Sequence, residues 1–189
     1  MDEEEDDDMT TSDESIEIDF VIPWVDGSDS AWLDTKRQYD PAQGNDALTE
    51  RYRDWGILPY WFRAVEQFAP WVHKIYFITC GHLPSWLDIT NPKLVIVRHE
   101  DYIPSEYLPT FSTHPIELNL HRIKELSEHF VYFNDDMFLT SPMKKKDFFH
   151  NGLPCDAPIE SAVMHDDYAN PWSHILINDV AVINMHYDK

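Results

Sequence analysis

The sequence is poor in cysteine and contains no long hydrophobic run. Its two cysteines, Cys80 and Cys155, belong to no CxxC pair, so reduced thiols in the cytosol are expected. No run of about 18 apolar residues is present, and we expect no transmembrane segment. The amino terminus is acidic, whereas a signal peptide begins with basic residues. We therefore expect a cytoplasmic protein.

Basic residues are also scarce, with 14 Lys and Arg against 35 Asp and Glu, for a net charge of -21. Nine of the acids lie in the first fourteen residues, so residues 1–15 are predicted to form an acidic disordered tail. An electrostatic interaction arm is the alternative. The remaining net charge of -12 argues against nonspecific binding to nucleic acid or to anionic membranes. A polyanionic substrate would need a local cation.

The remaining composition is globular, with 43% hydrophobic and 14% aromatic residues. β-branched and apolar runs predict strands at residues 16–25, 74–80, 93–98, 130–139 and 175–184. Helical spacing of apolar residues predicts helices at residues 30–39, 58–68 and 115–130. Strands that alternate with helices favour an α/β fold, with a mainly parallel sheet sandwiched by helices.

Asn134, Asp135 and Asp136 interrupt the apolar run at residues 130–139. Burying two ionised carboxylates without a cation or donors would cost several kcal/mol. Adjacent Asp side chains at a strand end can hold Mg²⁺ or Mn²⁺, which then also contacts substrate phosphates. The alternative is a simple turn, because Asn and Asp favour turns.

A second polar segment, Asp26-Gly27-Ser28-Asp29, follows the first predicted strand. Ligands of parallel α/β sheets gather beyond the carboxyl ends of the strands. We therefore expect this segment and the acidic pair at 135–136 to face one crevice.

Two blocks of short motifs follow one another along the chain. The first block covers residues 18–29 and contains Trp24-Val25-Asp26-Gly27. The second block includes Arg51-Tyr52-Arg53-Asp54, Ala69-Pro70-Trp71-Val72, Pro84-Ser85-Trp86-Leu87, Leu108-Pro109-Thr110-Phe111, Leu120-His121-Arg122-Ile123 and Phe133-Asn134-Asp135-Asp136. In their order, these motifs resemble the Stealth family of capsular polysaccharide phosphotransferases across roughly residues 16–149.

The resemblance implies a Rossmann-like nucleotide-sugar-binding core and an activity. Members of the family, which is related to the phosphotransferase that marks lysosomal enzymes, move a sugar 1-phosphate from a UDP-sugar such as UDP-N-acetylglucosamine. The acceptor is a glycan hydroxyl, a phosphodiester forms and UMP leaves. The partners implied are a UDP-sugar donor and a glycan acceptor. Peripheral association with a polysaccharide-synthesis complex at the inner face of the cell membrane is also compatible with the sequence.

The resemblance also assigns site residues. Those expected to bind the nucleotide sugar are Trp24, Asp26, Gly27, Asp29 and Asn134. Either Asp135 or Asp136 would hold the metal, and the other would take the hydroxyl proton as general base.

Three basic residues complete the predicted site. Arg53 is the candidate for a bidentate phosphate contact, and an ion pair with Asp54 is the alternative. His121 and Arg122 lie on the polar side of the predicted helix at 115–130, facing either the substrate or solvent.

The third and fourth blocks of the family are not recognisable in this sequence. His165, His174 and His186 have no matching context. Residues 16–189 are therefore predicted to form a phosphotransferase catalytic domain that is incomplete at its carboxyl terminus. A metal-dependent glycosyltransferase that releases UDP is one alternative, and a degenerate nucleotide-sugar-binding subunit is another.

Overall fold

The computed structural model describes residues 15–39, 52, 55–157, 162 and 171–187, with only the backbone for residues 171–173. The predicted tail, apart from Ser15, lies outside these residues, as do Arg53 and His165. Two compact units are present. The first extends to Cys155 and the second covers residues 156–189.

The first unit is built on a four-stranded, fully parallel sheet in the order β3-β2-β1-β4. Its strands are β1 (Ile18–Pro23), β2 (Ile75–Thr79), β3 (Leu94–Arg98) and β4 (His129–Tyr132). In the register, Val21 of β1 lies beside Tyr76 on one side and Tyr132 on the other. The predicted α/β class with a parallel sheet is confirmed.

Alternate residues of a strand point to opposite faces of the sheet, and both faces of β1 are buried. Phe20 packs with Trp61, Val65 and Phe133 in an apolar cluster on one face. Val21 belongs to a second cluster on the other face. A near-continuous apolar run is what a central parallel strand requires.

Two helices have the bounds predicted from the sequence. They are α1 (Ser30–Tyr39) and α2 (Leu58–Phe68). Helix α2 has Pro59 in its first turn, where a missing N–H costs nothing, and it buries Leu58, Trp61 and Val65. Burial of this apolar stripe fixes α2 against the sheet.

The predicted helix at 115–130 is wrong. A four-residue helix, α3 (His99–Tyr102), follows β3, and the later segment forms only α4 (Thr113–Leu118) and a 3₁₀ turn (Leu120–Arg122). The Asn119 side chain donates to the Pro115 carbonyl at 2.8 Å, and Glu125 has a φ of 65°. A left-handed residue cannot continue a right-handed helix. The apolar side chains therefore reach the core from irregular backbone.

A small hairpin of β5 (Phe149–His150) and β6 (Leu153–Pro154) completes the first unit. The second unit contains α5 (Pro171–His186), so the strand predicted at 175–184 is wrong. Periodicity alone does not separate an apolar strand from an apolar helix, and sixteen residues is a helical length. Among the described residues, no helix is long and apolar enough to cross a membrane.

Candidate functional site

A cavity of about 150 Å³ lies beyond the carboxyl ends of β1 and β4. The site residues Trp24, Asn134 and Asp135, predicted from two distant motifs, all contribute to its wall. The other lining residues are Pro23, Val25, Trp32, Tyr52, His99, Phe111, Ser112, Thr113, Ile116 and Tyr132. Trp24 and the turn at Asn134 and Asp135 meet at this cavity because β1 and β4 are neighbouring parallel strands. The rest of the expected crevice, at residues 26–29 and Asp136, is not part of the described wall.

The acidic pair lies in a turn that follows β4. The Met137 N–H donates to the Asn134 carbonyl at 3.1 Å, and Asp135 and Asp136 are both exposed. The expectation that this pair is buried in a strand is wrong, because β4 ends at Tyr132. The buried residue is Phe133, whose ring centroid lies 4.8 Å from that of Phe20. The turn is thus anchored by an aromatic ring while its carboxylates face solvent.

The segment at residues 26–29 is a tight loop held by its own side chains. The Asp26 carboxylate accepts hydrogen bonds from the backbone N–H and the hydroxyl of Ser28, at 2.9 and 2.6 Å. The Ser28 hydroxyl is the main cause that lowers the pKa of Asp26. Asp29 accepts the Trp32 N–H at 2.8 Å, which is the bond of a helix N-cap at the start of α1.

Gly27 is buried against another segment of the chain. A Cβ atom there would lie 2.0 Å from the carbonyl oxygen of Tyr52. The close approach that the glycine permits is therefore to Tyr52. Asp26, Gly27 and Asp29 are absent from the described cavity wall. Their observed contacts shape the loop beside it, and their proposed contacts with substrate stay predictions.

Three aromatic residues in the wall were not predicted as site residues. The Trp32 ring meets the rings of Tyr52 and Phe111 edge to face, with centroids 5.0 and 5.6 Å apart. They come from three segments far apart in the sequence, so no local pattern connects them. The packing of Gly27 on Tyr52 brings two of these segments together.

Two histidines near the cavity were also missed. His99 lines it, and burial, followed by the proximity of His82, lowers its pKa to about 4, so its ring is uncharged at neutral pH. His82 accepts the Asp26 backbone N–H through its Nε2 at 2.7 Å. The Trp24 ring lies on His82 edge to face, and its buried indole N–H has no hydrogen-bond partner among the described residues.

The remaining predicted residues are not brought to the cavity. His121 and Arg122 are exposed on the 3₁₀ turn and do not line it, and Asp136 is also outside the wall. Within the described part of the chain, no Lys or Arg lines this cavity. Arg53, the predicted phosphate contact, is outside the described residues.

The oxygen ligands at the cavity suit one kind of metal site. No group of three or more His, Cys, Asp or Glu that could hold a metal is found among the described residues, so a site built only from such groups is not present there. The Asp135 carboxylate and the Asn134 amide lie together at the cavity wall. Mg²⁺ usually takes one or two carboxylates and completes its shell with waters and substrate phosphates. This donor set fits an ion shared with a phosphate ligand.

Comparison with known families agrees with the sequence motifs. Conserved region 1 of the Stealth proteins matches residues 17–44, and conserved region 2 matches residues 51–156. The chain belongs to the Stealth protein family. The site residues Trp24, Asn134 and Asp135 lie within these two regions.

Curated relatives are similar along most of this chain. The capsular polysaccharide phosphotransferase WcwK of Streptococcus pneumoniae is 50% identical over 182 residues, covering 91% of this chain and 55% of the relative. The receptor polysaccharide phosphotransferase WefC of Streptococcus gordonii is 48% identical, covering 91% and 53%. The exopolysaccharide phosphotransferase cps2G of Lactiplantibacillus plantarum is 46% identical, covering 92% and 50%. The chain spans about half the length of these relatives.

Proposed function

We propose that this Stealth protein transfers a sugar 1-phosphate from a UDP-sugar to a glycan hydroxyl in capsule or exopolysaccharide synthesis. The hydroxyl oxygen attacks the phosphorus that bears the sugar, and the bond between that phosphorus and the bridging oxygen of the pyrophosphate breaks. A phosphodiester forms, UMP leaves, and the hydroxyl proton passes to a base. UDP-N-acetylglucosamine is the donor we would test first.

One observation carries the proposal. Trp24 of conserved region 1 and the acidic turn of conserved region 2, at Asn134 and Asp135, share the wall of one cavity. Relatives that are 50% and 48% identical to this chain over the aligned residues are named polysaccharide phosphotransferases. A cavity that combines the Asp135 carboxylate with a concave aromatic wall suits a nucleotide linked to phosphates.

The two carboxylates are assigned different roles. Asp135 lines the cavity, so we assign to it, with Asn134 beside it, the holding of Mg²⁺ or Mn²⁺. When bound, such an ion neutralises charge on the pyrophosphate. Asp136 lies one residue further along the exposed turn and is assigned the role of general base for the acceptor hydroxyl. The exposure of the turn leaves room for a large glycan to approach.

The aromatic wall is assigned to the nucleotide base. A cavity of about 150 Å³ is smaller than the roughly 300–1,000 Å³ typical of sites for whole ligands, so only part of the donor would enter it. Trp32, Tyr52 and Phe111 offer rings on which a base can stack. The uncharged His99, and the indole N–H of Trp24, which has no partner among the described residues, can hydrogen-bond polar atoms of the base or ribose.

The experiment is to identify the nucleotide that leaves. The 189-residue chain is incubated with UDP-N-acetylglucosamine, a capsular glycan acceptor and Mg²⁺, and the products are separated by anion exchange. UMP together with a sugar phosphodiester is expected, and both should disappear when the ion is chelated. Release of UDP would contradict the proposal and indicate a metal-dependent glycosyltransferase. Donor binding without turnover would instead indicate a nucleotide-sugar-binding subunit.

A further inference from the structure

His82, which follows β2, contacts both the 26–29 loop and the wall of the cavity. His82 Nε2 lies 2.7 Å from the Asp26 backbone nitrogen, and its Nδ1 lies 3.7 Å from an oxygen of Asp29. The Trp24 ring packs on the same imidazole with a centroid distance of 5.2 Å. One side chain therefore touches the two acids of the 26–29 loop and an aromatic residue of the cavity wall.

The bond to Asp26 fixes the chemical form of the imidazole. A backbone N–H can only donate, so Nε2 must carry a lone pair to accept it. The proton of the uncharged ring is then on Nδ1, the atom nearest the Asp29 carboxylate. A side chain without an acceptor at this place would leave the Asp26 N–H without its present partner.

The backbone of His82 is itself held firmly. The buried Thr79 hydroxyl donates to the His82 carbonyl at 2.7 Å and accepts the Gly81 N–H at 3.2 Å. Gly81 has a φ of 128°, which only glycine adopts without strain. The imidazole is therefore presented from a rigid turn at the end of a buried strand.

We propose that His82 is a positioning residue for the donor site. By accepting the Asp26 N–H it sets the loop whose Asp29 caps α1, and α1 carries Trp32 into the cavity wall. It also packs edge to face against the Trp24 ring. This inference rests on the proposed function, because it takes the cavity beside the loop as the place where the UDP-sugar binds.

The test compares two replacements of this histidine. His82→Gln keeps an acceptor oxygen near the position of Nε2, whereas His82→Leu has a similar volume and no acceptor. His150→Leu is the control. Its hairpin contacts His129 through the Gly152 carbonyl, at the amino end of β4 and so at the end of the sheet opposite to the cavity. Hydrogen exchange of the Asp26 amide, ¹⁵N shifts of the His82 ring, and UDP-N-acetylglucosamine affinity with Mg²⁺ are measured for each protein.

The expected wild-type imidazole has its proton on Nδ1 and an unprotonated Nε2. His82→Leu should speed exchange of the Asp26 amide and raise the Kd of the donor, each roughly tenfold, as for the loss of one well-formed hydrogen bond. His82→Gln should restore both to within about threefold. His150→Leu should leave both unchanged, and all variants should keep the wild-type melting temperature within a few degrees.

Two results would overturn the inference. One is an Asp26 amide as protected in His82→Leu as in the wild type. The other is a donor affinity that falls equally in the Leu and Gln variants, which would show that the acceptor atom is irrelevant. If the wild-type protein does not bind the UDP-sugar, the proposed function fails and the donor-positioning role fails with it. The amide exchange would still report whether His82 holds the loop.

Discussion

Carboxylates near the two ends of β1 differ in their burial. Near its amino end, Asp19 is fully buried and accepts hydrogen bonds from the His73 ring, the Lys74 N–H and the Ser127 N–H at 2.9, 3.0 and 2.8 Å. Beyond its carboxyl end, Asp135 and Asp136 are exposed on the turn after β4. Both regions belong to the same pair of adjacent strands.

This difference in burial indicates which acid has a structural role and which acids could take part in a reaction. The oxygens of Asp19 are occupied by groups of the chain itself, so this carboxylate stabilises the connections that enter β2 and β4. The exposed pair follows β4, at the end of the sheet where parallel sheets place their ligands. We infer that the buried acid maintains the fold and that the exposed pair is available for the reaction.

The largest expected effect comes from removing the buried acid. Asp19→Ala would empty a fully buried position and leave the N–H groups of the half-buried Lys74 and Ser127 without their acceptor, so the free energy of unfolding should fall by about 3–5 kcal/mol. Urea unfolding followed by circular dichroism measures this loss. Asp34→Ala, on the exposed face of α1, is the control and should change stability by less than about 0.5 kcal/mol. A similar small change at Asp19 would remove the contrast between the two ends.

A substitution of Gly27 tests how closely the loop after β1 packs on Tyr52. Gly27→Ala would place a methyl group against the Tyr52 carbonyl, so backbone must shift and stability should fall by about 1–3 kcal/mol. Gly56→Ala meets no atom within 4 Å and serves as a comparison for steric crowding, although its φ of 68° adds strain of its own. Unfolding in urea measures both. An unchanged stability at Gly27 would contradict the close packing of the loop on Tyr52.

The pH dependence of stability that His99 causes measures how far the cavity wall is desolvated. The pKa of His99 is about 4 in the folded protein and 6.5 by reference, so the unfolded chain binds the proton more readily as pH falls. Its contribution to stability is present above pH 6.5 and is lost between pH 6.5 and 4. Between pH 7 and pH 5 the loss should be about 2 kcal/mol.

Because carboxylates also titrate in this range, the comparison is with His99→Leu, whose stability should depend less on pH by that amount. Chemical unfolding at the two pH values provides the four free energies. Equal pH dependence of the two proteins would show that the His99 ring is solvated and that the wall is not desolvated.

Local sequence patterns correctly predicted the two helices and the turns near the site. They failed where the backbone conformation depends on contacts between distant residues. Apolar spacing predicted the bounds of α1 and α2. The turn-forming residues at 26–29 and 134–136 predicted the carboxyl ends of two strands. The segment at 115–130 kept its helical spacing but lost the helix, because Asn119 and Glu125 adopt other conformations. Spacing identifies which side chains are buried more reliably than it identifies the backbone that carries them.

The site was predictable only in part for a related reason. Trp24, Asn134 and Asp135 were predicted as site residues from their motifs, whereas His82, His99 and Trp32 reach the site only through the fold. Tyr52 and Phe111 belong to matching motifs, but no role was predicted for them. The acidic pair was expected to be buried because apolar residues flank it. In the structure Phe133 takes the buried position and the next three residues turn outwards. One residue of register separates a core position from an exposed one.

The most direct test of the central claim measures stability and transfer together for the acidic pair. Asp135→Asn and Asp136→Asn should each change stability by less than about 0.5 kcal/mol, because both residues are exposed and Asn also favours turns. UMP release should fall at least roughly a hundredfold in each, from loss of a metal ligand or a general base. Asp88→Asn, in another exposed turn, is the matched control and should match the wild type in both. Unfolding of the two variants, with wild-type UMP release from the molecules that stay folded, would show that the pair only forms a turn.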